Sequence, residues 1–264
     1  MSPEIISALI GLVGVILGAI PTYLFMRQKG LAEIEKTKAE TEKIKAESEQ
    51  IRKSIVAEKG TASEKTRILF IAASPSNLSH IRFDKEIRGM KEGIQKSGNR
   101  DAFELEQVWA AQWNDLQNYL LKFTPDILHI SCHATDNDKD GARLIFEDEK
   151  GLDYRVSSES LNNLLSLFND KLRMVVLNTV YSDEICKLLA NNIDFAIGVH
   201  GLLGDDEANK FASAFYEAIA ENKDVRTAFE YGRARIESGN DRSDYRLLTM
   251  KKPKETFSFL KTKS

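Results

Sequence analysis

From Arg67 onward, short apolar runs alternate with amphipathic stretches, and that alternation leaves few ways to fold. "RILFIAA" reads as a first strand. "RFDKEIRGMKEGIQKSG" follows as a helix, with Phe83, Ile87, Met90 and Ile94 on one stripe and Gly98 at its end. "FELEQVWA" alternates as a second strand, and "WNDLQNYLLKF" is a helix stopped before Pro125. "DILHISC" is a third strand, "ARLIFED" part of a small hairpin, and "SSESLNNLLSLF" a helix. "RMVVLN" and "FAIGVHG" are a fourth and a fifth strand, separated by the helix "DEICKLLANN". Two closing helices, "DDEANKFASAFYEAIAENK" and "VRTAFEYGRARIES", precede a last strand, "YRLLTM". Strand and helix in succession predict an α/β fold, a mostly parallel sheet with helices on both faces.

In such sheets ligands bind beyond the carboxyl ends of the strands. The third strand ends "HISCHAT" and the fourth ends "LNTVYS". As neighbours, those ends would lie about 5 Å apart. A histidine past one end could then deprotonate a nucleophile past the other. His133 supplies the base, but the matching place on the fourth strand holds Thr179 and Val180. An isopropyl group is no nucleophile. The two cysteines, Cys132 and Cys186, sit in apolar surroundings and form no CxxC pair. That fits a reducing compartment and argues against a structural zinc site. Cys132 directly precedes His133, so on a strand the two point to opposite faces. Cys186, among Ile185, Leu188 and Leu189, reads as a buried thiol. His129 lies mid-strand as a core histidine, and His200, at the fifth strand's end, could line the same cleft. Asp205 and Asp206 open a helix, where acidic residues are favoured. "DNDKDG" (136–141) lacks the glutamate that a calcium loop needs and reads as a solvated turn.

Taken together, "ILHISCHAT", "VVLNTVYS" and "IGVHGLLGDDEANKFASAFYEAI" resemble the CHAT group of caspase-like peptidases, in the clan that includes caspases and separase. The resemblance covers roughly residues 67–236. It implies a caspase-like αβα sandwich with a peptide-binding cleft and no cofactor or metal. The family's catalytic histidine falls on His133. Its second motif, usually Asn-Ala-Cys-Tyr-Ser, is matched by Asn178, Tyr181 and Ser182, with Thr179 for the alanine and Val180 for the catalytic cysteine. Gly204 and Asp205 match the third motif. In related folds an acid near Asp205 can help to select a basic substrate residue, so capping and selectivity both remain open for it. The resemblance thus implies a pseudopeptidase that keeps the base position at His133, has lost the nucleophile position at Val180, and binds a peptide or protein partner through Asn178, Thr179, Asp205 and His200. A working protease with a displaced or partner-supplied nucleophile is the alternative. Proteins of this layout often belong to bacterial signalling or defence modules.

The amino end reads differently. Residues 5–26 are 22 consecutive uncharged residues, enough for a helix across the roughly 30 Å hydrocarbon core. Positive charges, Arg27 and Lys29, follow the span rather than precede it. That argues for a retained anchor over a cleaved signal and puts the carboxyl side in the cytoplasm, at the inner membrane. Ser7, Gly11, Gly14 and Gly18 form a stripe of small residues that would let two such helices approach. Residues 30–59 follow as a charged stalk with a weak heptad seam of Ile34, Thr37, Thr41, Ile44, Ser48, Ile51 and Ile55. A solvated helix held by Lys/Glu pairs is the alternative. The expected organisation is an anchor over 1–29, a stalk over 30–59, a hinge over 60–66 and a globular domain over 67–264. The net charge of −3 gives no reason to expect nucleic-acid binding.

Overall fold

The computed structural model describes residues 65–138, 141–236, 244–249 and 257–260. The expected anchor and stalk lie outside the described residues. Among the described residues no helix is long and apolar enough to cross a membrane. Thr66, the last residue of the expected hinge, begins the first strand, and residues 60–64 lie outside the described residues.

Six strands form the main sheet: β1 (Thr66–Ala73), β2 (Phe103–Val108), β3 (Ile127–Asp138), β6 (Met174–Leu177), β7 (Phe195–His200) and β8 (Asp244–Thr249). Their order is β2-β1-β3-β6-β7-β8. Neighbours are parallel except β8, which closes the sheet antiparallel to β7. Antiparallel β4 (Gly141–Glu147) and β5 (Asp153–Ser157) extend from the far half of β3.

The period-2 pattern of a strand sorts β1 between two cores. Ile68, Phe70 and Ala72 face α1 (Phe83–Lys96), α5 (Asp205–Ala220) and α6 (Val225–Ile236). Leu69, Ile71 and Ala73 face α2 (Trp113–Phe123), α3 (Ser158–Ser166) and α4 (Asp183–Leu189). The result is a sheet sandwiched between two helical layers, as expected. Glycine draws α1 and α5 together: a Cβ on Gly93 would lie 2.8 Å from the Ser213 carbonyl oxygen.

Local chemistry sets the helix ends. The Ser157 hydroxyl accepts the Ser160 N–H at 3.1 Å and starts α3. At α2 the Asp115 carboxylate reaches back to the Gln112 N–H at 2.9 Å. That helix stops where Thr124 turns left-handed (φ 43°) ahead of Pro125.

Three elements differ from the sequence reading. β3 continues past Cys132 to Asp138, because its far half exchanges neighbours and pairs with β4. Much of the stretch 136–141 is therefore hairpin strand, with Asp138 paired to Gly141, rather than open turn. β5, whose "DYRVS" carries two charged residues and one buried valine, was not anticipated.

Candidate active-site cleft

β3 and β6 are neighbours, in register from Ile127 opposite Met174 to Ile130 opposite Leu177. The Asn178 N–H still bonds to the Ile130 carbonyl at 2.9 Å, and then the chain leaves the sheet. His133 and Val180 each lie three residues beyond the last register pair. Both line one cleft of about 230 Å³. Asn178, Thr179, Ser131 and Cys132 form its floor and sides, with Leu203, Gly204, Asp205 and the strap 79–82 at its margins.

His133 is half-buried, and its Nε2 lies 2.7 Å from the Ser79 carbonyl oxygen. A carbonyl only accepts, so Nε2 carries a hydrogen, and in the neutral ring the lone pair is then on Nδ1. The strap thus fixes the ring and its tautomer together.

The loop after β6 is held just as closely. Tyr181 is left-handed (φ 51°), and its N–H bonds to the Gly201 carbonyl at 3.0 Å. Fully buried Ser182 staples the turn: its Oγ lies 2.9 Å from the Leu177 oxygen and 2.8 Å from the Thr179 oxygen, and it accepts the Val199 N–H at 2.9 Å. Thr179 is buried and Val180 half-buried against the cleft.

Neither thiol of the chain is set up to attack. Cys132 borders the cleft, but it is only 2% exposed, and burial pushes its thiol up to about 12. Burial raises Cys186 further still. A thiol needs its thiolate form to attack, so both are inert near neutrality.

Asp205 stands in the first turn of α5 and borders the cleft, while the helix cap comes from Glu207, whose carboxylate accepts the Gly204 N–H at 3.1 Å. His200 does not line the cleft. Its Nδ1 pairs with the buried Asp183 carboxylate at 3.0 Å.

Beneath the cleft lies a polar network that the sequence reading missed. The Glu86 carboxylate, on α1, is nearly fully buried. It accepts from His129 Nε2 at 2.6 Å, Ser131 Oγ at 2.8 Å and Asn178 Nδ2 at 2.5 Å. Asn178 Nδ2 also reaches the Ala208 carbonyl at 3.3 Å, and Tyr245 donates to Asn178 Oδ1. The Tyr216 hydroxyl lies 3.1 Å from His129 Nδ1. Burial, with the Glu86 charge nearby, holds both tyrosine hydroxyls well above their usual range, so they stay protonated and donate. His129 is thus a satisfied core histidine, as expected, but its partner is a cleft residue.

No family model matches the chain. It is similar to a curated protein named "Probable protease" from Gillisia limnaea, 27% identical over 154 residues, which is 58% of this chain and 26% of that one. It is also similar to a "Roc-COR-CHAT protease" from an unknown prokaryotic organism, 26% identical over 166 residues, 60% of this chain and 15% of that one. The chain therefore spans well under half the length of either relative. Among solved structures, a secreted C11 cysteine protease from Bacteroides thetaiotaomicron, in complex with an irreversible peptide inhibitor, shares 15% identity over 66% of this chain and 57% of its own, at a TM-score of 0.39. The Drosophila initiator caspase Dronc shares 9% over 71% and 82%, at 0.40. Over 58–60% of its length the chain is thus similar to proteins named as proteases, one of them of CHAT type, and its fold is a mostly parallel sheet between helical layers.

Within that fold, the cleft brings together His133, Val180, Asn178, Thr179 and Asp205 and leaves out His200. The residues not anticipated are Ser79, Glu86, Ser131, Tyr216 and Tyr245. One signal was available for Glu86: it stands three residues after Phe83 and four before Met90, a carboxylate on the buried stripe of an amphipathic helix. A charge there needs partners, and the sequence does not say which.

Proposed function

We propose that this chain is a CHAT-type pseudopeptidase, a fold that keeps the cleft of a peptidase and uses it to bind a peptide or protein partner. In this reading residues 1–29 anchor the chain in the inner membrane. The face of Ser7, Gly11, Gly14 and Gly18, with the stalk over 30–59, brings copies together. The cleft domain then acts in the cytoplasm as a signalling effector, in the manner of bacterial defence modules. The observation that carries the reading is the occupant of one position: Val180 faces the same cleft as His133, where the resemblance calls for a thiol. It is supported by the burial of both cysteines, which leaves the cleft without a sulfur nucleophile of its own.

The test is chemical. The purified full chain is treated with a peptidyl acyloxymethyl ketone, which alkylates activated thiols, and its mass is measured. No adduct is expected on the native chain, and Val180→Cys is expected to gain one that disappears when His133→Ala is added. An adduct on the native chain that depends on His133 would overturn the proposal in favour of the second reading, a working protease with a displaced or partner-supplied nucleophile. The names of the two curated relatives favour that second reading.

A further inference from the structure

We propose that Glu86 is the positioning residue of the cleft, holding Asn178, and through it the loop 178–181, in one placement against the strand that bears His133. This rests on the cleft reading above and adds to it the device that sets the cleft's geometry.

The cleft has three walls on three separate elements. The strap 79–82 leads directly into α1; β3 carries Ser131 and His133; the loop after β6 carries Asn178, Thr179 and Val180. One carboxylate bonds side chains from two of these walls while standing on the helix that continues the third. Its contacts are to Ser131 and His129 on β3 and to Asn178 at the end of β6, at 2.8, 2.6 and 2.5 Å.

Asn178 has no freedom left in this arrangement. Its amide nitrogen serves Glu86 and the Ala208 carbonyl of α5, and its amide oxygen takes the Tyr245 hydroxyl of β8. Two residues further along the chain is Val180. A rotation of the Asn178 side chain would break its bonds to Glu86, Ala208 and Tyr245 together and take from the Tyr245 hydroxyl the partner it has here, so the loop it begins has one low-energy placement.

The chemistry of position 86 points the same way. It lies on the apolar stripe of α1, 3% exposed. For stability alone, an apolar side chain of similar volume serves as well as a buried charge. A carboxylate gives what an apolar group does not, which is direction: its two oxygens each accept bonds along defined lines. With the two tyrosines donating at the ends, each described member of the network has its partner, which is the condition for such a network to be rigid.

The experiment uses the full chain carrying Val180→Cys, with the rate of iodoacetamide labelling measured against pH. Both native thiols are buried, so the new thiol at position 180 is expected to carry the labelling. If His133 assists the new thiol, adding His133→Ala lowers the rate near neutrality by about 100-fold. Glu86→Gln keeps the size of the side chain but turns an accepting oxygen into a donor that faces donors. It is expected to remove at least about tenfold of the His133-assisted rate and to shift the pH profile toward that of the His133→Ala protein. Tyr245→Phe, which removes only the far donor, is the milder variant should Glu86→Gln fail to fold, and a partial loss of assisted rate is expected from it.

A folded Glu86→Gln protein with an unchanged rate and pH profile overturns the proposal. The same holds for a folded Tyr245→Phe protein with an unchanged profile, where that variant stands in. If His133→Ala leaves the Val180→Cys rate unchanged, the cleft reading falls and the role of Glu86 falls with it. A His133-dependent rate that ignores Glu86 removes this inference alone.

Discussion

Replacing Gly198 with alanine tests how tightly the loop beside Val180 is clamped. Gly198 lies inside β7, where the strand passes under the start of α4. A Cβ built there would stand 2.8 Å from Cys186 Sγ, 2.9 Å from the Ser182 carbonyl oxygen and 3.0 Å from the Asp183 nitrogen. The last two are backbone atoms and have no rotamer in which to escape. Either α4 lifts from the sheet or β7 bows, and overpacking of this kind costs about 1–3 kcal/mol. Lifting the start of α4 also strains the bond from the Val199 N–H to Ser182 Oγ, now 2.9 Å, worth about 1 kcal/mol net. The sum is about 2–4 kcal/mol. A domain of this size loses roughly 2–4 °C of Tm per kcal/mol, so a fall of roughly 4–16 °C is expected. Urea unfolding followed by circular dichroism would read the stability loss as a lower midpoint at unchanged slope. Gly98→Ala is the control: nothing lies within 4 Å of its added methyl, and a change within about 0.5 kcal/mol is expected. A Gly198→Ala protein as stable as the control would refute the argument that α4 and β7 meet backbone to backbone.

Two further outcomes follow from the same region. Ser182→Ala removes the staple and leaves the buried Val199 N–H unpaired, so a loss of about 1–3 kcal/mol is expected in the same urea assay, against no loss if the hydroxyl is incidental. Above pH 9 the fold should weaken. Burial raises the Cys132 thiol from 9.0 to about 12, and Cys186, Tyr216 and Tyr245 are raised as well. The folded chain therefore keeps protons that the unfolded chain releases. The stability these groups contribute is whole below pH 9; the share of Cys132 is lost between pH 9 and about 12, Cys186 adds a loss that also begins at 9, and the two tyrosines add one that begins at 10. A urea midpoint that stays level from pH 8 to 11 would contradict this.

Local pattern made much of this legible. The strip of Phe83, Ile87, Met90 and Ile94 announces α1 because helical period and burial coincide, and all four residues are buried. The apolar runs around Ile130 and Leu177 announce β3 and β6, and the motifs mark His133 and Val180 just past them, but that the two strands are neighbours comes from their register in the sheet. What stayed hidden depends on partners far along the chain. Glu86 meets His129, Ser131 and Asn178 across 43 to 92 residues, and no local pattern names such partners. The full run of β3 depends on β4, and β5 exists only because β4 offers it an edge. His200 was placed at the cleft because it stands at a strand end. The carboxylate of Asp183, 17 residues earlier, takes it instead.

The wide sequence separation of the cleft's parts has a kinetic consequence. Its lining runs from Ser79 to Ala208, and the last hydroxyl to reach its floor, that of Tyr245, arrives with the final strand of the sheet. Long-range closures of this kind come late in folding. A chain emerging from the ribosome, or one clipped ahead of Asp244, would have most of the sheet and yet present a half-built receptor. Partner recognition would in that way double as a check that synthesis has run through to the last strand.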